Sequence, residues 1–264
     1  MHTFKSPKFA YLTFAIIVSA LTVGVLSILS SFWERLAPAT CVPNCFCEAV
    51  RFDGPLRQPV NTWTSVAFIL AGAWLLAVVS GTAEKHSRRF ASIYAILLAT
   101  SSIIIGIGSA FLHASLTFIG QFLDVLGMYL LATFMLLYAC ERLILWRATS
   151  TVFAFVVLNC GLAILLITIP ESRRYVFAIL IALAVLLEIM VRRYRKPRIS
   201  KKWWNSGLVL LSLAYVIWIL DNQKLLCWPY SLIQGHSIWH ISGAIAVLLL
   251  YNYYASESRN ASNL

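Results

Sequence analysis

Long apolar stretches separated by short polar segments run along the whole chain. Each stretch is close to the roughly 20 mostly apolar residues that a helix needs to cross a bilayer. Backbone groups in lipid must bond one another within the segment, so stretches of this length predict α-helices. We predict eight spans, at residues 10–33, 61–80, 91–113, 121–142, 151–169, 174–191, 205–221 and 237–254.

The spans leave little of the chain for a separate soluble domain, and no internal repeat divides it. The predicted fold is an all-α membrane protein, a single helical bundle. It consists of an N-terminal cytoplasmic segment with an anchor helix (1–33), an outer loop that caps the bundle (34–60), a core of seven spans (61–254) and a cytoplasmic tail (255–264). The first stretch lacks a clear cleavage site, so we expect it to be a retained anchor rather than a signal peptide.

Composition and charge agree with this prediction. Of 264 residues, 60% are hydrophobic and 12% are charged, which argues against a soluble fold. The net charge of +11 would suggest nucleic-acid binding in a soluble protein, but here most Lys and Arg residues fall on one side of the membrane if both termini are cytoplasmic. The densest basic group, Arg192–Lys202, is expected to set the topology and attract anionic lipid heads. We expect no nucleic-acid partner.

Polar side chains inside apolar helices are costly and are therefore candidates for function. Span three ends with Ser109 and His113, the first turn of span four contains Asp124, and span eight begins with His236 and His240. Because successive helices alternate in direction, these segments meet at the same end of the bundle. That end is expected to face the outer, periplasmic or luminal, side.

The three histidines suggest a metal site. His236 and His240 are four residues apart, so they share one helix face with Cβ atoms about 6 Å apart. That spacing alone is weak evidence, but His113 adds a third neutral nitrogen, and three such ligands with an open position are typical of catalytic zinc. The alternative is a set of interhelical histidines that hydrogen-bond and stabilise packing.

Asp124 is the candidate acid and base, since burial of a carboxylate needs a compensating cation or hydrogen bonds. Beside a metal it could take a proton from water and return it to a leaving group. Ser109 lies one turn before His113 and is either a site residue or a small packing residue. Asp221, ending span seven, and Asn61, opening span two, are each either supports of the site or helix-end residues.

This pattern resembles the signature of the alkaline ceramidases and of their wider CREST superfamily of intramembrane zinc hydrolases, which includes the adiponectin and progestin receptors and haemolysin III proteins. The signature residues, in order, are Ser109, His113, Asp124, His236, Trp239 and His240. The ceramidase branch is favoured by Cys47, Glu48, Asn61, Thr62, Trp218, Asp221 and Cys227. The resemblance covers about residues 45–254 and implies a seven-helix core, with the N-terminal helix as an addition.

The resemblance implies roles for these residues. His113, His236 and His240 would bind zinc. Ser109 would help stabilise the oxyanion, and Asp124 would handle protons. Candidates for supporting residues are Asn61, Asp221 and Trp239.

The expected reaction is hydrolysis of the N-acyl bond of ceramide or a related lipid, which releases a fatty acid and an amine. The alternatives are a lipid ester hydrolase of the same superfamily and a receptor-like protein with structural zinc. The chain has only short polar ends, which argues against the receptor-like alternative. A transporter would be expected to show an inverted repeat, and none is evident.

Four of the six cysteines fall in predicted outer loops, at Cys41, Cys45, Cys47 and Cys227. Their common side is a potentially oxidising compartment, but spacing alone does not fix their pairing. The family resemblance points to a disulfide between Cys47 and Cys227. Cys41 and Cys45 would then be left as a short-range pair.

Alkaline ceramidases also carry an acidic N-terminal segment that binds calcium, and here the chain departs from them. Glu48 is retained as a candidate calcium-site position, but Gln58 stands where those enzymes have a glutamate. Calcium prefers several hard oxygen ligands, and the residues around Glu48 supply few. This departure argues against calcium dependence.

Overall fold

The computed structural model describes residues 7–81 and 92–257, which form a bundle of eight long α-helices. The helices are α1 (Pro7–Ile28), α2 (Pro59–Gly81), α3 (Ser92–Ser115), α4 (Phe118–Ile144), α5 (Ala148–Thr168), α6 (Arg173–Met190), α7 (Lys201–Asn222) and α8 (Gly235–Ala255). Each predicted span corresponds to one helix, and each is long and apolar enough to cross a membrane. The prediction of an all-α, multi-pass membrane protein is confirmed.

Parts of the predicted termini lie outside the described residues. These parts are residues 1–6 of the N-terminal segment and residues 258–264 of the tail. The basic residues between the second and third spans, Lys85, Arg88 and Arg89, lie outside them as well. Arg259 of the tail does too.

Helix α1 ends earlier than its apolar stretch. The α-helix stops at Ile28, and a 3-10 helix at Leu29–Arg35 continues the segment toward the outer loop. Its Trp33 is buried with Val23 and Leu26 against α3. The last residues of the predicted first span therefore form a 3-10 helix, which is wound more tightly than an α-helix.

The arrangement of the helices determines which ends meet. Helix α3 lies between α2 and α4, α8 packs on α2, and α7 packs on α8. Helices α5 and α6 both pack on α4, and α1 packs on α2 and α3. We call the end where α2, α4 and α8 begin the histidine end. The opposite end carries Arg192–Lys202, and we call it the basic end.

Glycines allow α3 and α4 to approach closely. A Cβ atom at Gly108 would lie 2.6 Å from the carbonyl carbon of Leu123, and one at Gly127 would lie 2.8 Å from the Cα atom of Ile105. Real side chains do not tolerate such distances, so only glycine permits this crossing, as in many membrane helix pairs. The close approach brings Ser109, next to Gly108, against the first turns of α4.

A buried ion network joins three helices toward the basic end. Arg142 of α4 is fully buried and pairs with Glu188 of α6 at 2.6 Å and with Glu257, just after α8, at 3.0 Å. Tyr253 also donates a hydrogen bond to Glu188. Buried charges of this kind persist only when paired. This network therefore holds α4, α6 and the end of α8 together.

The outer loop covers the histidine end. Its main chain pairs with the α3–α4 connection, where Ala39 N donates to Leu116 O at 2.8 Å and Phe118 N donates to Ala37 O at 2.7 Å. The side chain of Gln121, in α4, accepts a hydrogen bond from Thr40 N at 2.9 Å. The loop is thus fixed to the bundle by its own backbone.

Candidate metal centre

Three buried histidines meet at the histidine end. His113 is in the last turn of α3, and His236 and His240 lie on one face of the first turns of α8. One ring nitrogen from each lies within 4.8 Å of those of the other two. The structure therefore brings together the three residues that the sequence predicts as metal ligands, in a group that could hold a metal ion.

The spacing of the ring nitrogens fits zinc. The Nε2 atoms of His113 and His236 are 3.1 Å apart. Tetrahedral zinc with Zn–N bonds of about 2.0–2.1 Å would hold two ligand nitrogens about 3.3 Å apart. Neutral imidazoles are also the ligands that zinc favours in open sites. The donor set and its geometry therefore suit a zinc ion.

Ser109 and Asp124 lie beside the histidines. The Ser109 hydroxyl is 3.2 Å from His240 Nε2, and Ser109 also lies near the Asp124 carboxylate. Asp124 is partly exposed and does not belong to the group of three close ligand atoms. Its place next to the histidines, rather than among them, leaves its carboxylate available for proton transfer.

Helix α2 supports His240. The Nδ1 atom of His240 is 3.1 Å from the Thr64 hydroxyl and 3.4 Å from the Ser65 hydroxyl. Ser65 also donates to the main-chain oxygen of Asn61 at 2.8 Å, and that oxygen lies near the His240 ring. Sequence reasoning missed Thr64 and Ser65, although two hydroxyls one turn after Asn61 could have indicated them.

Asn61, one of the candidate supporting residues, therefore reaches the site through its main chain. Its side chain is fully buried, and neither amide atom has a hydrogen-bond partner within residues 7–81 and 92–257. Trp239, another candidate, contacts Tyr215 and Trp218 at the α7–α8 interface, with ring centroids 6.1 and 6.3 Å away. Its described ring contacts therefore stabilise the pairing of the two helices.

His113 is held by a residue that sequence reasoning did not place in the site. Its Nδ1 atom is 2.8 Å from the Oε1 atom of Gln58, which is fully buried where the outer loop meets α2. The Gln58 main-chain N–H also donates to the His113 carbonyl at 2.9 Å. The only sequence signal for Gln58 was its departure from the glutamate of the alkaline ceramidases.

Asp221 supports the site through the backbone rather than through an imidazole. Its Oδ1 atom accepts a hydrogen bond from His236 N at 3.2 Å, and its Oδ2 atom accepts one from Cys47 N at 3.1 Å. A Cβ atom at Gly235 would lie 2.6 Å from the Cβ atom of Asp221, so glycine is needed there. The carboxylate caps the start of α8, where free N–H groups favour negative charge.

Glu48 caps α2 in the same way. Its two carboxylate oxygens accept hydrogen bonds from Val60 N at 2.7 Å and from Asn61 N at 2.8 Å. Burial raises the pKa of Glu48 above the usual 4.5, while these two backbone donors oppose the shift. This candidate calcium-site residue therefore holds a helix end that carries part of the metal centre.

Two disulfides fix the loop above the histidines. Cys47 pairs with Cys227, with Cα atoms 5.4 Å apart, and Cys41 pairs with Cys45, with Cα atoms 4.9 Å apart. The family resemblance suggested the Cys47–Cys227 pair, and Cys41 and Cys45 were the pair that it left over. Phe46, between the two bridged segments, stacks on the His236 ring with centroids 3.8 Å apart. The loop therefore covers the three histidines at this end of the bundle.

The sequence of the chain is similar to those of known proteins. The sequence profile described as Ceramidase matches residues 58–262. An alkaline ceramidase of Drosophila melanogaster is 26% identical over 248 residues, which cover 89% of this chain and 84% of the relative. An Arabidopsis thaliana alkaline ceramidase is 26% identical over 242 residues, with 87% and 85% covered. Alkaline ceramidase 1 of Homo sapiens is 24% identical over 205 residues, with 74% and 75% covered.

Proposed function

Because the chain belongs to the ceramidase family, we propose that it is a zinc-dependent hydrolase that cleaves the N-acyl bond of ceramide or a related lipid within the bilayer. The observation that carries this proposal is the buried group of His113, His236 and His240. Ser109 and Asp124 lie directly beside this group. That combination of metal ligands, a hydroxyl and a carboxylate is what metal-assisted hydrolysis requires.

The histidines would hold zinc, which when bound polarises the amide carbonyl and makes water a better nucleophile. Asp124 takes a proton from the attacking water as its oxygen bonds to the carbonyl carbon. Ser109 donates a hydrogen bond to the oxygen on which negative charge develops. Asp124 then gives the proton to the amide nitrogen as the C–N bond breaks. The products are a fatty acid and an amine.

We propose that a lipid reaches the site from the side of the bundle, between α6 and α7. Within the described chain, α6 packs on α4 and α7 packs on α8, but α6 and α7 do not pack along each other. The Arg174 guanidinium lies over the Trp218 ring across this gap, 5.8 Å from its centroid. Since Phe46 covers the outer side of the histidines, the gap between α6 and α7 is the route that suits an apolar substrate.

The histidine end would face an oxidising, periplasmic or luminal, compartment, with both termini cytoplasmic. Support comes from the two disulfides, which lie at the same end of the bundle as the metal centre. The basic end lies opposite, as the positive-inside rule requires. Arg193, Lys196 and Lys201 are exposed there and would attract anionic lipid heads.

An assay with paired lipids tests the proposed reaction. The purified protein would be offered ceramide and an ester lipid with the same acyl chain, and its zinc content would be measured. We expect amide hydrolysis and about one zinc per chain. Ester cleavage without amide cleavage would favour an ester hydrolase, and zinc without turnover would favour a receptor-like protein.

The same assay tests the metal site. His240→Ala removes one of three ligands, so we expect loss of both zinc and turnover. Thr133→Val is a matched control, because Thr133 is equally buried in α4 and bonds the main chain of Tyr129. Full zinc content in the His240→Ala protein would exclude the site.

A further inference from the structure

Gln58 connects the outer loop to a histidine of the metal centre. Its side-chain Nε2 atom is 3.0 Å from the Cys45 carbonyl oxygen and 3.1 Å from the Glu48 carbonyl oxygen. Its Oε1 atom is 2.8 Å from His113 Nδ1. One buried amide therefore bonds the disulfide-linked loop on one side and His113 on the other.

The chemistry of these partners fixes the orientation of the amide. Carbonyl oxygens can only accept hydrogen bonds, so the NH2 group of Gln58 must face Cys45 and Glu48. The amide oxygen then faces His113 and can only accept, so the proton of the neutral His113 ring lies on Nδ1. This leaves the lone pair of His113 Nε2 directed toward His236 Nε2, where a metal ion fits.

The same contacts leave little for a calcium ion. Calcium takes six to eight oxygen ligands, often carboxylates. Both oxygens of the Glu48 carboxylate already bond the start of α2, and the Cys45 and Glu48 carbonyls bond Gln58. The Phe46 carbonyl accepts a hydrogen bond from the ammonium group of Lys224. Protein donors already bond each of these oxygens, and one carboxylate with three carbonyls supplies fewer ligands than the six to eight that calcium takes. The residues therefore do not fit calcium.

We propose that Gln58 is a positioning residue that orders the loop carbonyls with its own amide group, in place of a divalent cation, and holds His113 in the tautomer that binds zinc. The inference rests on the proposed zinc chemistry. Partners that orient a metal-binding histidine typically change metal affinity by about 10- to 100-fold when they are removed. The protein is accordingly zinc-dependent but indifferent to calcium.

Zinc affinity tests the contact with His113. Gln58→Leu keeps the approximate side-chain volume but removes the side-chain hydrogen bonds to His113 and to the loop carbonyls. We expect the zinc affinity of this variant to fall about 10- to 100-fold. Affinity would be measured on purified full-length protein by competition with a chromogenic zinc chelator. Ser102→Ala is the control, because Ser102 is also fully buried and bonds the Phe68 carbonyl in the bundle core. Its zinc affinity should equal that of the wild type.

Calcium tests the contact with the loop. In Gln58→Glu a carboxylate would face two carbonyl oxygens, so we expect a Tm that is lower in a calcium chelator and rises when millimolar calcium is added. The wild-type Tm should be the same in both conditions. The glutamate still offers an acceptor to His113, so this variant should bind zinc more tightly than Gln58→Leu.

Different results of these measurements would refute the role of Gln58 and the proposed function. A wild-type protein that binds no zinc would refute the proposed function. If the wild type binds zinc but Gln58→Leu binds it equally well, only the positioning role is refuted. A calcium-dependent Tm in the wild type, or a Gln58→Glu variant that ignores calcium, would refute the replacement of a cation by the amide.

Discussion

At the scale of single residues, the proposed metal centre would give different tasks to neighbouring polar groups. The three histidines have ring nitrogens that converge on one point. Asp124 stands outside that group but next to Ser109. Removal of a histidine should therefore affect metal binding, whereas a change at Asp124 should affect proton transfer alone.

Asp124→Asn tests this division of tasks. An amide of the same shape cannot accept and return the proton, so we expect kcat to fall by about 10²- to 10⁴-fold with zinc content and Tm little changed. Turnover of ceramide and zinc per chain would be measured on the same preparation. Asp53→Asn is the control, because Asp53 is exposed in the outer loop. Wild-type turnover in Asp124→Asn would remove Asp124 from the mechanism.

At the scale of helices, two carboxylates hold the helix ends that carry the site. Glu48 accepts from the first N–H groups of α2, and Asp221 accepts from the start of α8. Both come from other segments of the chain. Contacts between distant segments therefore help to set the position of each helix end, and at α8 they act together with the local capping box of Gln234 and Ser237.

The pKa of Glu48 predicts a pH dependence of stability. Burial raises this pKa above 4.5, so the folded protein binds the proton more tightly than the unfolded chain does. Stability from this group is then greatest at low pH and is lost as the pH rises from about 4.5 through the folded-state pKa. We expect the Tm of the wild type to fall relative to that of Glu48→Gln over this range.

Thermal unfolding of both proteins in detergent from pH 4.5 to 7 would measure the effect. Glu171→Gln is the control, since Glu171 is exposed before α6. The difference in Tm between this control and the wild type should stay constant. A Tm difference between the wild type and Glu48→Gln that does not change with pH would contradict the prediction.

At the scale of the whole molecule, the two ends of the bundle differ in chemistry. The histidine end carries the disulfides and the ordered outer loop, whereas the basic end carries the exposed positive charges of Arg192–Lys202. The ion network of Arg142, Glu188 and Glu257 ties three helices together toward the basic end. This difference between the two ends of the bundle predicts one orientation in the membrane.

Cysteine labelling of intact cells tests that orientation. Asp53→Cys, in the outer loop, should react with a membrane-impermeant maleimide added outside, whereas Lys201→Cys, at the start of α7, should react only after permeabilisation. Both positions are exposed. The wild type, with free Cys140 and Cys160, measures the background. The reverse labelling pattern would invert the proposed topology.

The sequence alone determined the number and places of the helices and the members of the histidine group. Both depend on local sequence. The length of each span follows from a run of apolar residues, and the shared face of His236 and His240 follows from the helical repeat. Alternating helix direction was then enough to bring His113 to the same end. The structure agrees with each of these predictions.

Only the tertiary structure decided how the histidines are held. Gln58 meets His113 across 55 positions of sequence, and Thr64 meets His240 across 176. Asp221 was expected to support an imidazole or end a helix. It lies in the last turn of α7, and its carboxylate bonds two main-chain N–H groups of other segments. Such contacts depend on where separate helices cross, and these crossings are set by close approaches such as that at Gly108. No local pattern encodes them, because hydrogen bonds between distant segments form only once the bundle has packed.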